Sequence, residues 1–228
     1  MNQATLSPFI IFPKQAAFGR VLPKSKIYEH SGATPAVREM FIRQVEQIVW
    51  QFKLAPETIN LASKPGVPEL QIFAVQLKMP ALNHEVLRCI DGAVQFPIIF
   101  ELNFEGKIQV VAAFKRPSEA DSNRWVVSDY FSTQWMSTDD ARVAMPLALD
   151  LGVLYEQLLQ RLIPLTLRQN ETLAELVKRV EDLRLQKNEV QKLTRKLAQE
   201  KQFNRKVKIN SDLRNLKAEI EKLESSFV

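Results

Sequence analysis

Glycine and proline run out before the chain does. All six glycines and all 12 prolines of this 228-residue sequence lie at or before Pro164, so beyond that point no glycine or proline is present to break a helix. Glycine is also too sparse for a phosphate cradle: no G-x-x-x-x-G-K-[ST] loop, G-x-G-x-x-G turn or G-x-S-x-G elbow occurs. That removes the commonest nucleotide-dependent enzymes and lowers the expectation of any enzyme. Histidine is limited to His30 and His84, neither with a ligand-spaced partner, so a histidine metal centre is not expected and no cofactor is implied. The single cysteine, Cys89, cannot form an intramolecular disulfide, which suits a reducing compartment and makes a cytoplasmic location the default. Long apolar runs are missing too. Phe96–Phe100 and Leu147–Leu154 fall short of the ~20 residues needed to span a bilayer and contain Pro97 and Asp150, so no membrane span is expected. Ser7-Pro8 interrupts the early apolar stretch, and no secretion signal is expected either.

At 46% apolar and 25% charged, the composition is that of an ordinary globular protein. The net charge of +5 is unevenly placed. Of 31 basic and 26 acidic side chains, 15 and 10 lie in residues 166–228, leaving 16 of each for residues 1–165. A neutral stretch long enough to bury roughly 70% of its unfolded surface is joined to a tail that carries the whole excess.

Residues 1–165 read as one α+β (mixed α/β) globular domain. The segment up to Gly32, punctuated by Pro8, Pro13 and Pro23, is expected to be extended or looped. Thr34-Pro35 opens a predicted helix over about 35–53, with Val37, Phe41, Val45, Ile48 and Phe52 three or four residues apart. Leu70–Lys78 reads as a central strand, and Asn83 as the N-cap of a helix over 84–92. Ile98 to Phe104 and Ile108 to Phe114 alternate around Glu105-Gly106 as a β-hairpin. Asp121, Ser122 and Asn123 mark a turn before a strand at Trp125–Phe131, and Pro146 opens a helix carrying Leu147, Leu151, Leu154, Leu158 and Leu162.

Residues 166–228 read as a long basic helix, a coiled coil or a helical hairpin. Leu173, Leu176, Val180, Leu183, Val190 and Leu197 fit one heptad register, with Lys187 and Thr194 at two a positions. Leu213, Leu216, Ile220, Leu223 and Phe227 fit another. The registers do not join smoothly across Glu200–Asn210. With no glycine or proline to turn on, a single rod of ~90 Å with a stutter is favoured over a hairpin.

Candidate chemistry is thin. Cys89 has His84 five residues earlier, a poor fit to one helix face, and reads as a half-buried small apolar residue. Restriction-type nucleases need an acid on one hairpin strand and an acid-x-lysine on the next, because paired carboxylates hold Mg²⁺ while the lysine polarises water or phosphate. Glu101 and Lys115 are the candidates for that chemistry. Glu105-Gly106-Lys107 falls in the turn and Glu69-Leu70-Gln71 ends in glutamine, so the set is incomplete and a solvated sheet face is the plainer explanation. Trp125, Tyr130, Phe131 and Trp135, near Lys115 and Arg116, offer stacking rings for a single strand but fit a core better. Arg195, Lys196, Lys201, Arg205, Lys206 and Lys208 put six bases in 14 positions, opposed by Glu200, and are candidates for phosphate contacts.

Several phrases carry a likeness: Leu22-Pro23-Lys24-Ser25-Lys26-Ile27-Tyr28, Lys53-Leu54-Ala55-Pro56-Glu57-Thr58-Ile59-Asn60-Leu61, Pro97-Ile98-Ile99-Phe100-Glu101-Leu102, Ala113-Phe114-Lys115-Arg116-Pro117 and Lys201-Gln202-Phe203-Asn204-Arg205-Lys206-Val207. Over nearly its whole length the chain resembles a prokaryotic family of uncharacterised proteins. The resemblance implies genes often placed beside a helicase and a DNA methyltransferase in restriction-modification-like defence loci, hence a DNA-linked accessory role, and it transfers no catalytic residue. The expectation is therefore a non-enzymatic interaction protein whose helical tail binds a protein partner, such as that helicase or methyltransferase, or a second copy of itself. A divergent Mg²⁺ nuclease and direct DNA binding by the tail are the alternatives.

Overall fold

The computed structural model describes residues 9–118, 120–121 and 124–225. The chain divides into two compact units, Met1–Leu162 and Ile163–Val228.

The first unit is α+β. In chain order it contains β1 (Ile10–Ile11), β2 (Ala17–Val21), α1 (Lys24–Ser31), α2 (Pro35–Gln44), β3 (Val45–Leu54), α3 (Pro56–Ile59), β4 (Leu70–Leu77) and α4 (His84–Ala93). Then come β5 (Ile98–Phe104), β6 (Lys107–Pro117), β7 (Trp125–Ser132), β8 (Met136–Ser137), β9 (Val143–Ala144) and α5 (Leu151–Gln160). The main sheet runs β2-β3-β4-β5-β6-β7, with β8 also pairing β6, while β1 and β9 form a small separate pair. Among the described residues of this sheet only β4 and β5 run parallel, and α4 makes the crossover that a parallel pair requires.

Alternation sorts the side chains onto two faces. Ile27 of α1, Phe41 of α2 and Val86, Leu87 and Ile90 of α4 pack with Phe73, Val75, Phe100, Leu102 and Val111 on one face of the sheet. The Phe73 and Phe100 rings meet edge-on at 6.1 Å between centroids, and each such buried side chain contributes about 1.5–3 kcal/mol of hydrophobic stabilisation. Ile99, Glu101 and Val110 lie on the other face, where they line a narrow cleft with Ile10, Phe12, Leu158 and Leu162. The β5–β6 hairpin turns as expected on Glu105 (φ 45°) and Gly106 (φ 72°), the double left-handed step of a type I′ turn. Asn83 caps α4 by accepting from the Glu85 N–H.

Three local expectations are corrected. The helix expected over 35–53 stops at Gln44, and Val45–Leu54 is a strand. A bulge between Val45 and Gln47 places the buried Val45 and Ile48 three residues apart, so an irregular strand imitated the helical spacing. The segment before Gly32 is partly helical: Pro23 sits at the N-cap of α1, where its fixed φ does no harm, and Gly32 (φ 64°) closes the helix. The helix expected from Pro146 begins only at Leu151, because the Asp150 carboxylate accepts from the Val153 N–H and fixes the N-terminus there. Leu147 and Leu149 are left 95% and 89% exposed. The turn assigned to Ser122 and Asn123, and Phe227 in the tail, lie outside the described residues.

The second unit is a helical hairpin, not the favoured rod: α6 (Leu173–Gln199) and α7 (Phe203–Glu224) run antiparallel. The bond from Arg179, early in α6, to the Leu223 carbonyl (2.8 Å) and the ion pair from Lys187, at its middle, to Glu224 (2.6 Å) join α6 to the end of α7. Leu173, Leu176, Val177, Leu183, Ile209 and Leu213 are buried. The turn needs no glycine, because Glu200 (φ −71°, ψ 134°) and Gln202 (φ −82°, ψ 124°) are in ordinary extended conformations. The Glu200 side chain accepts from the Lys201 and Gln202 N–H groups at 2.9 Å each, satisfying donors that the reversal would orphan. Among the described residues no helix is long and apolar enough to cross a membrane.

Candidate functional site

The structure does not bring Glu101 and Lys115 together. Glu101 pairs with Val110 across the hairpin and faces the α5 side. Lys115 follows a register shift after Ala113 and reaches α4 on the opposite side. Neither belongs to a solvated sheet face, as the plainer explanation had it: they are 4% and 2% exposed. The Glu101 carboxylate accepts a two-pronged grip from the Arg142 guanidinium at 2.7 and 3.1 Å, and Arg142 also donates to the Ile10 carbonyl at 3.1 Å. The hydrogen bond to Glu101 holds Arg142 above its usual pKa.

Lys115 is the centre of a buried network. Its ammonium donates to the Asp91 carbonyl at 2.6 Å and to the Val94 carbonyl, and lies 3.6 Å from the Asp91 carboxylate. Those carbonyls belong to the end of α4, so the lysine closes a helix C-terminus, where carbonyl groups lack partners and a cation is favoured. The Tyr130 hydroxyl donates to the other Asp91 oxygen at 2.5 Å. Burial pushes the Asp91 carboxyl up and the Lys115 ammonium down, and their mutual attraction opposes both. Burial also raises Tyr130, then the Asp91 charge beside it. The ammonium is held by two carbonyl acceptors and the adjacent Asp91 carboxylate, so this group ties β6 to α4 rather than meeting a substrate.

The remaining candidates have structural surroundings. Cys89 is 9% exposed with its Sγ 2.8 Å from the Ser31 Oγ, and burial pushes its thiol up, the reverse of an activated nucleophile. His84 lies beside Tyr130, ring centroids 5.2 Å apart. Tyr130 and Trp135 pack against the core, Phe131 is buried, and Trp125 stands 5.7 Å from the Lys115 ammonium. Among the described residues no three His, Cys, Asp or Glu side chains stand close enough to hold a metal ion together.

One surface does concentrate chemistry. The reversal at 200–202 joins the last turn of α6, bearing Arg195 and Lys196, to the first turns of α7, bearing Arg205, Lys206 and Lys208, with Lys201 in the loop between. All six are exposed. Glu200 opposes them, 4.0 Å from Arg205, and its carboxyl is held below the usual range by the Gln202 N–H. The first turn of α7 holds no acidic residue, so the positive end of its dipole adds to the six charges. Phe203 and Val207, one turn apart, are 77% and 53% exposed among them.

Sequence reasoning missed Asp91, Arg142 and Phe203. Asp91 had a signal, an acid four residues after Leu87 on the apolar stripe of α4. Arg142 had none, since it lies in irregular chain 41 residues from its partner. Phe203 drew no notice because it broke the heptad seam instead of fitting it.

Neither the curated proteins nor the solved structures include a match to this chain. A family model does match, over residues 10–220, and spans both units. The chain therefore belongs to the family described as Domain of unknown function (DUF4391).

Proposed function

We propose that the protein is a non-enzymatic accessory factor that engages nucleic acid through the tip of its helical hairpin. The observation that carries this reading is the convergence of Arg195, Lys196, Lys201, Arg205, Lys206 and Lys208 on one end of the hairpin. A rod would string these charges along its length, whereas the reversal gathers them where several phosphates can be met at once. The likeness to proteins encoded beside helicases and DNA methyltransferases points the same way, and such enzymes are the natural protein partners. Self-association through the heptads has less support, because seam positions such as Leu176, Leu183 and Leu213 are already covered. The nuclease reading loses its geometry, with Glu101 held by Arg142 and Lys115 by Asp91 on opposite faces of the sheet.

Anisotropy of a labelled duplex titrated with the full chain at several salt concentrations tests the proposal. Each phosphate contact steepens the plot of log affinity against log salt by about 0.9. Changing Lys201, Arg205, Lys206 and Lys208 to glutamine is expected to lower the slope by roughly 3–4. An unchanged slope, or no binding by the unaltered protein, would overturn it.

A further inference from the structure

We infer that the hairpin tip discriminates in favour of single-stranded nucleic acid, with Phe203 stacking on an unpaired base while the surrounding cations hold the flanking phosphates. This rests on the reading of the tip as a nucleic-acid surface and adds the form of nucleic acid that it takes.

The inference starts from an exposed ring. Phe203 is 77% exposed, against 42% for Phe18, whose ring packs on Trp50 at 4.3 Å between centroids. It is the first residue of α7, immediately after the turn, with Lys201 two residues before it and Arg205 and Lys206 two and three residues after. Val207, one turn along and 53% exposed, extends the apolar strip on the same helical face. An aromatic face edged by cations suits a single strand, which offers base faces beside phosphates. A duplex keeps its base faces stacked, and a phenyl ring reaches one only where a step is opened. The cations alone would favour the duplex, whose charge density is higher, so a preference for the single strand has to come from Phe203.

Other polyanions fit less well. An anionic membrane calls for an apolar stripe along a helix, and here it ends after Val207, since Ile209 and Leu213 are 6% and 7% exposed. An acidic peptide carries charge without a regular flat π-face.

The test uses the full chain, a labelled homothymidine strand of roughly 20 nucleotides, longer than the ~4–16 that such surfaces cover, and a duplex of equal length. The unaltered protein is expected to bind the single strand about tenfold more tightly at equal salt. Phe203→Ala is expected to abolish that preference while leaving the duplex salt slope and the melting temperature unchanged, and Phe203→Trp to retain it. Equal binding of both forms by the unaltered protein, or a preference that survives Phe203→Ala, overturns the stacking inference and leaves nucleic-acid binding standing. So does competition by polyglutamate as effective as by unlabelled homothymidine at equal charge. Absence of binding to either form overturns the underlying reading as well, and shows in the unaltered protein before any variant is made.

Discussion

The sheet unit and the hairpin unit use the same charged residue types in opposite ways. In the sheet unit Lys115 with Asp91 and Arg142 with Glu101 connect distant elements, the lysine pair with side chains at most 4% exposed. The hairpin does this at one end, where Arg179, 6% exposed, grips Glu171 and donates to the carbonyls of Leu223 and Thr166. Its other end leaves six cations in water. A buried pair is committed to architecture, because removing one member strands the other in a medium that solvates it poorly. Exposed cations carry no such obligation and remain available to a partner. Charge that is matched and buried maintains a shape, and an exposed excess of one sign, six cations against Glu200, is where binding is to be sought.

Three further experiments set the units against each other. All three tryptophans, Trp50, Trp125 and Trp135, lie in the sheet unit, so their fluorescence reports on it alone. The largest effect is expected from Lys115→Met, which strands Asp91 and uncaps α4. The fluorescence midpoint in urea should fall by an amount corresponding to about 3–5 kcal/mol. A loss below ~1 kcal/mol would mean that the pair is no more committed than a surface bridge.

A smaller effect is expected from Glu200→Ala, which removes the acceptor for the turn N–H groups. The lost cap should lower the hairpin's transition in far-UV ellipticity while the tryptophan transition stays in place. Equal shifts in both signals would break the comparison, because the hairpin's turn would then matter as much to the sheet.

The smallest expected effect is a difference in pH response. Glu171 is held below its ordinary value of 4.5, first by its hydrogen bond to Arg179. Its contribution is therefore present above that value and is lost as pH falls through the lower folded pKa. Asp91 runs the other way: burial raises it above 3.8 against the opposing pull of Lys115, so the stability linked to its protonation is fully present below 3.8 and is lost as pH rises through the folded pKa. Acidification below about pH 4.5 should weaken the hairpin, and Glu171→Gln should flatten that dependence in ellipticity melts. An unchanged acid limb in the variant would sink the assignment.

Much of the fold was legible in the sequence. Strict alternation announced β5 and β6, an N-cap with an apolar stripe announced α4, and a two-faced apolar run announced β4. Failures came where a local irregularity copied another period, as the bulge at Val45–Gln47 did, or where a cap set a boundary that an apolar stripe had blurred, as Asp150 did. The basic cluster was visible residue by residue, but its convergence was not, since a turn through Glu200, Lys201 and Gln202 that uses no glycine or proline leaves no compositional mark.

Composition alone determined that a neutral globular part precedes a breaker-free basic tail, because net charge and the absence of glycine and proline are additive properties of a segment. Only the tertiary structure decided that Glu101 and Lys115 are buried apart and that the tail folds back on itself. Burial and pairing depend on which elements cover each face and on partners such as Arg142 and Asp91, brought in by elements far along the chain. Periodicity places a residue on a face of its own element, and it cannot say what is packed against that face.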